Sequence, residues 1–295
     1  MLNRFDSPSR KVFIFINTTF LVILGIVCLL PLIHILALSF SGKSAAAAGS
    51  VILWPVEFST TAYTFVLNRV AFWRSMLVTI RRVLVGGTIN LILITLTAYP
   101  LSKPVSKFRF RTFFAWFFFF STLFSGGLIP SYMLIYQLNM LDSIWALILP
   151  GAVPVFSVIL MLNFFRQIPD ELEEAAHMDG ANQWRTLFRI YIPCSLPSIA
   201  TVALFSIVSH WNSYFDGMIF SNNPSSYPLQ SYLRTIIVSS DLTNMAGDDW
   251  KLLAEISDRT VKAAQIFISA LPILAVYPFL QKYFVKGITV GSVKG

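Results

Sequence analysis

The side chains able to recognise or transform a ligand fall into three groups. His210, Trp211, Asn212, Tyr214 and Asp216 put an imidazole, an amide, a carboxylate and two aromatic rings on one short stretch. Such a set can hold a polar ligand by ring faces and hydrogen bonds, and the same groups could equally bond one helix to another. Arg81 and Arg82 stand side by side, six and seven residues past Ser75, inside an apolar run. A guanidinium at that depth is costly unless it snorkels, pairs or faces water. The third group is EEAAHMDGANQWRTLFRIYIP, Glu173 to Pro193, the most polar helix-patterned stretch of the chain.

Missing motifs narrow the chemistry further. No G-x-x-x-x-G-K, H-E-x-x-H or G-x-S-x-G occurs, so neither a nucleotide site nor a hydrolase is expected on this chain. His34, His177 and His210 lie in separate segments, and Cys28 and Cys194 form no C-x-x-C pair. No metal site is expected, and both cysteines read as packing residues.

Membrane-spanning helices must position these groups. Hydrophobic residues make up 56% of the 295, charged residues 12%, and mean hydropathy is +0.69. The expected fold is therefore an all-α integral membrane protein, a single domain over 1–295. Six runs are long enough to cross a hydrocarbon core: about 12–38, 75–101, 113–136, 144–165, 198–220 and 260–280. The first is too long for a signal-peptide core. The net charge of +8 comes from basic residues in short loops, which suits a membrane surface rather than nucleic acid. The phenylalanines of Phe113 to Phe120 read as lipid-facing filler.

Thirteen Lys and Arg flank the spans on the side of the termini and only six on the other, placing both termini and the 166–197 loop in the cytoplasm. The external segments are then 41–74, a tight turn at 139–143, and 221–259.

Local signals shape the 166–197 loop. Asp170 followed by Glu173 forms a capping-box-like start, with Glu171, Glu173 and Glu174 near the positive end of the helix dipole. Gly180 offers a left-handed corner, and Asn182 caps a second helix. In that helix Trp184, Leu187, Phe188 and Tyr191 recur as one apolar ridge until Pro193 stops it. Such a ridge can enter a partner's groove or rest on lipid.

Glu174-Ala175-Ala176, Gly180, Ile190 and Ile192-Pro193 carry the spacing of the "EAA" loop of ABC importer permeases, with Ile192 where that family usually has Leu. Ser125 to Pro150, His210 to Phe220, Tyr227 to Leu233 and Gln281 to Gly295 also resemble the smaller permease subunit of maltose-type carbohydrate importers. Within that group the chain is similar to the branch for lipoprotein-linked and polysaccharide-fragment uptake, such as pectin or alginate oligosaccharides.

The resemblance implies a permease fold in the bacterial cytoplasmic membrane, with the EAA loop as a coupling helix. Glu174, Ala175, Ala176, Gly180, Trp184, Leu187, Phe188, Ile190 and Pro193 would serve coupling to an ATPase, and the C-terminal GSVKG would reach along that interface. The implied partners are a second permease, two copies of a cytoplasmic ATPase that bind ATP and Mg, and an extracytoplasmic solute-binding protein. Arg81, Arg82, Trp211, Asn212, Tyr214 and Asp216 would line an oligosaccharide path. An arginine facing that path would suit an acidic, uronate-containing sugar, because guanidinium binds carboxylate bidentately. Snorkelling to headgroups is the alternative for either side chain.

Overall fold

The computed structural model describes residues 7–238 and 257–292. The basic residues Arg4, Lys251 and Lys294, and the last three residues of GSVKG, lie outside them. The helices, in chain order, are α1 (Pro8–Ser39), α2 (Lys43–Ala48), α3 (Thr61–Leu67), α4 (Val70–Ser102), α5 (Arg111–Leu123), α6 (Leu128–Gln137), α7 (Ile144–Ile148), α8 (Val155–Phe165), α9 (Asp170–Met178), α10 (Gln183–Thr186), α11 (Ile192–Cys194), α12 (Leu196–Asn212), α13 (Phe215–Phe220), α14 (Leu229–Val238) and α15 (Asp258–Ser292). No strand occurs among the described residues. In an apolar solvent, helices satisfy their backbone polar groups internally.

Three of the expected spans are continuous helices long and apolar enough to cross a membrane: α1, α4 and the Asp258–Val276 part of α15. Three further helix pairs are bent, and counting each pair as one crossing gives up to six. The 113–136 run is not one rod, because α5 and α6 meet at 112°. Ser125-Gly126-Gly127 separates them, and Gly127 sits at φ 86°, where a Cβ would be strained. The 144–165 run bends by 51° between Gly151 and Val155, where Pro150 and Pro154 interrupt the amide ladder. The 198–220 run ends its helix at Asn212 and restarts at Phe215, so Ser213 and Tyr214 fall in a break.

Contacts group the chain into two units. In the first, 1–70 with 235–271, α1 is exposed along most of its length. Its end is tied by Ala37 packing with Ala45 and Val51, and by a 2.7 Å hydrogen bond between Ser39 Oγ and Tyr63 OH. The Phe40 ring stacks on Phe58 and Tyr63.

The second unit, 71–234 with 272–295, contains the larger core. Ile94, Ala98 and Tyr99 of α4 pack with Val158, Met161 and Phe165 of α8, Val202 of α12, and Leu187 and Tyr191 beyond α10. The α5 helix fully buries none of its residues, although Phe118 packs against this core. The turn expected at 139–143 is present. Asn139 and Asp142 take left-handed backbone conformations there, and Asp142 Oδ1 accepts the amides of Asn222 and Asn223 at 2.8 and 2.9 Å.

Candidate functional site

Two polar clusters are built in the second unit, one on the 170–193 segment and one among the spans.

The first begins with α9. Its N-cap is Pro169, with no side-chain capping bond, so the expected capping box does not form. Glu173 turns inward instead and is 1% exposed. Its Oε2 accepts from Lys103 Nζ at 2.8 Å and from Tyr191 OH at 3.0 Å. Oε1 lies 3.5 Å from both Lys107 Nζ and His177 Nε2. The Lys103 ammonium sits 4.2 Å from the Tyr99 ring centroid and 3.9 Å from that of Tyr191, so its charge is met by two ring faces as well as the carboxylate. Tyr99 OH donates to Gln183 Oε1 at 2.7 Å.

Burial alone would raise the Glu173 carboxyl, but the bond and charge of Lys103, with help from Tyr191 and Lys107, hold it down at about 2. Burial pulls Lys103 below its usual value against the same carboxylate. The Glu173 carboxyl is therefore ionised near neutrality.

Gly180 makes the corner at φ 74°. Its amide bonds to His177 O at 3.0 Å, and the Ala181 amide to Ala176 O at 2.9 Å. This is the paired closure of a left-handed helix end. Asn182 then caps α10, its side chain accepting from the Arg185 amide at 2.9 Å. After α10 the ladder widens to a π-turn over Leu187–Tyr191, with the Ile192 amide reaching Leu187 O. Pro193 does not end the helix there, because the turn runs through Cys194 before an 83° bend into α12.

The expected apolar ridge does not face one way. Trp184 and Phe188 are 60% and 58% exposed, whereas Leu187 and Tyr191 are buried in the core. The widened turn and the Glu173 bond draw the second pair inward. Glu174, Ala175, Gly180 and Pro193 are exposed, and Ala176 and Ile190 are half-buried. A cavity of about 450 Å³ lies beside this cluster, lined among others by Lys103, Lys107, Phe108 and Trp184.

The second cluster is centred on Arg82, 3% exposed. Its guanidinium pairs bidentately with Asp216, with Nη1 3.1 Å from Oδ1 and Nη2 on Oδ2. Nη2 also donates to Leu147 O at 3.1 Å, and Nε to His210 Nδ1 at 3.4 Å. With Nδ1 accepting, His210 donates from Nε2 to Asn90 Oδ1 at 2.8 Å, and Asn90 Nδ2 donates to Gly151 O at 3.1 Å. Gly86 makes room for the imidazole, since a Cβ there would lie 2.7 Å from His210 Nε2. Asp216 Oδ1 further accepts from Ser213 Oγ and the Gly217 amide, each at 2.8 Å. Thus α4, α7, α12 and α13 are joined at the breaks in the bent crossings.

Around this network lies a cavity of about 340 Å³. Phe156 and Phe205, 6.2 Å apart, form an aromatic part of its wall, and Ser157, Ser206, Ser209 and Ser213 line it with hydroxyls. Ser206 is 5% exposed, and its Oγ has no hydrogen-bond partner among the described residues.

Of the residues read as an oligosaccharide path, Arg82 and Asp216 reach this cavity, while Arg81, Trp211, Asn212 and Tyr214 are not in its lining. Arg81 is exposed, turned roughly 100° from Arg82 around the helix. Trp211 is buried, and Tyr214 carries Arg234 above its ring at 5.9 Å. Asn90 and Ser206 belong to the site but escape a reading by motif. Asn90 is the one amide in the 75–101 run, a signal of function inside a span. No group of three or more metal-ligating side chains occurs among the described residues.

A helical bundle with broken crossings around a hydroxyl-lined cavity, and a polar two-helix loop folded back on a span, define a membrane transport subunit. The chain belongs to the family described as binding-protein-dependent transport system inner membrane component, which matches residues 2–290. It is 42% identical to Protein LplC of Bacillus subtilis (strain 168) over 98% of this chain and 97% of that one. It is 38% identical to the polygalacturonan/rhamnogalacturonan transport system permease protein YtcP of the same organism, over 94% and 96%. It also superimposes with a TM-score of 0.87, at 37% identity and over 96% of this chain and 100% of the other, on a chain from a bacterial ABC transporter involved in the import of the acidic polysaccharide alginate.

Proposed function

We propose that this chain is the permease subunit of an ATP-driven importer of oligosaccharides, and that the cavity beside Arg82 and Asp216 is part of the sugar path. The carrying observation is that cavity: aromatic faces suit the CH patches of a sugar ring, and the unpartnered Ser206 hydroxyl suits its OH groups. The relatives that handle polygalacturonan and alginate favour an acidic, uronate-containing cargo.

The arginine pair divides the work. Arg82 is neutralised by Asp216, so a substrate carboxylate would have to displace that partner, whereas Arg81 is exposed with no ion pair among the described residues. Arg82 therefore shapes the cavity wall, and Arg81, which lies outside that cavity's lining, is the cation open to an acidic cargo elsewhere along the path.

In the assembled transporter the chain pairs with a second, related permease and rests on two ATPase copies that carry ATP and Mg, while an external binding protein delivers the sugar. The 170–193 segment faces the cytoplasm and meets the ATPase through Glu174, Ala175, Ala176, Trp184 and Phe188, with Gly180 fixing the corner and Ile190 and Pro193 shaping the second limb. Leu187 serves from the inside by holding the segment to the core. Nucleotide binding closes the ATPase pair, moves the segment and opens the path to the outside.

Uptake of charged and neutral oligosaccharides by Arg81→Gln, Arg82→Gln and Ser206→Ala cells tests this reading. Arg81→Gln should lose charged cargo selectively, Arg82→Gln both kinds, and Ser206→Ala should raise KM for both. Equal uptake by all three variants and the parent would remove the cavity from the path. Labelling with an impermeant thiol reagent should mark Ser225→Cys in intact cells and miss Asn182→Cys; the reverse pattern would invert the orientation.

A further inference from the structure

The α4 helix is not adjacent in sequence to the 170–193 segment, yet side chains bind the two together. Lys103, just past its end, enters a cage of Glu173, Tyr191 and Tyr99, and Tyr99 also holds Gln183. These bonds grip both limbs of the segment, one on each side of Gly180. Twenty-one residues back along the same helix, Arg82 grips Asp216 and the Leu147 carbonyl at the cavity. At a helical rise of 1.5 Å the two grips are about 32 Å apart. Between them α4 runs as one helix, with Pro100 only in its last turn, whereas α8 continues a crossing bent by 51° and α12 joins the segment through an 83° bend. A continuous helix clamped at both ends transmits displacement. A bent joint absorbs it in a few backbone torsions.

We propose that α4 is the rod carrying movement of the 170–193 segment to the sugar cavity, and that Lys103, Glu173 and Tyr191 are positioning residues that fix the rod to the segment. The inference rests on the reading of that segment as the ATPase contact. It adds that the segment and the foot of α4 move as one body through the nucleotide cycle, and that the joint at Ser195 takes up the flexing.

The test uses the complete transporter, with its ATPase and second permease, reconstituted without native cysteines. Spin labels on Ser106→Cys and Glu171→Cys, both exposed positions outside the clamp, report the spacing between the foot of α4 and α9. The spacing should agree within about 2 Å between the nucleotide-free and ATP-trapped states. A change well beyond that would overturn the proposal.

Glu173→Gln should lower transport per ATP hydrolysed by roughly 10-fold, and Tyr191→Phe, which deletes one hydroxyl, by about 3-fold. An unchanged ratio in both would also overturn it. Should Glu173→Gln fail to assemble, Tyr191→Phe and the label pair still decide. Cross-linking of Ala175→Cys to the ATPase tests the underlying reading separately: without a cross-link the segment is not the contact, whatever the internal spacing does.

Discussion

Both polar clusters of the second unit contain an ion pair, buried at both members for Lys103 and Glu173 and half-buried at Asp216 for the other, and the pairs are built differently. Arg82 and Asp216 are matched one to one, with further guanidinium donors on Leu147 O and His210 and further carboxylate acceptors taken by Ser213 and the Gly217 amide. Glu173 is oversupplied with cations. Lys103 is bonded to it and Lys107 stands at 3.5 Å, while Tyr191 adds a neutral donor. The first arrangement is closed: removing one member leaves a charge with no substitute. The second is buffered, because a lost partner leaves another within reach. A closed pair suits a fixed cavity wall, and a buffered pair suits a joint that must hold while its surroundings move.

The largest expected effect follows from closure. Asp216→Leu strands the Arg82 charge and should destabilise the solubilised protein by about 3–5 kcal/mol, whereas Arg82→Met with Asp216→Leu should recover most of the loss, since an apolar replacement of similar volume removes both desolvation costs. Thermal unfolding in detergent measures both. Equal damage from the single and double variants would mean that the pair is not what holds these breaks together.

Lys103→Met should cost less, about 1.5–3 kcal/mol, the scale of one charged hydrogen bond, because Lys107 remains beside the carboxylate. Adding Lys107→Met should then cost more than Lys107→Met does alone, which a double-mutant cycle reads directly. Strict additivity would erase the distinction between buffered and closed.

Gly180→Val forces a β-branched residue to φ 74° and should cost about 1–3 kcal/mol of local strain. A Cβ there meets nothing within 4 Å, so the penalty is conformational rather than steric crowding. Transport should fall while the amount of protein in the membrane is kept, and substrate-stimulated ATP hydrolysis should fall with it.

A further effect concerns pH. Glu173 ionises at about 2 in the folded protein against an ordinary 4.5. Its stabilisation is fully present above 4.5 and is lost as pH falls from there toward 2. The stability difference between the parent and Glu173→Gln should therefore be flat above 4.5 and shrink below it. A difference that shrank on raising the pH from 5 to 8 would contradict the pairing.

How much of this is legible without coordinates differs between neighbouring residues. Gly180 and Asn182 behave as their types require, one at a left-handed corner and the other as a cap three residues before the amide it accepts. Glu173 resembles a capping acid by position and turns out to be the centre of a buried cluster. Its partners are 70 residues upstream and 18 downstream, beyond the reach of any local pattern. Trp184 and Leu187 share one apolar period, yet one is exposed and the other buried.

The sequence by itself determined the membrane class, the corner and cap of the 170–193 segment, and the family spacing that it carries. Each depends on hydropathy summed over a window, or on a backbone conformation that one residue type permits, and both are properties of adjacent residues. Only the tertiary structure decided that the 113–136 and 144–165 runs are bent and the 198–220 run is broken, that Arg82 is paired while Arg81 is open, and that Glu173 belongs to Lys103. Those outcomes depend on which helices meet: Arg82 and Asp216 are 134 residues apart, and burial makes two charges that far apart in the chain depend on each other.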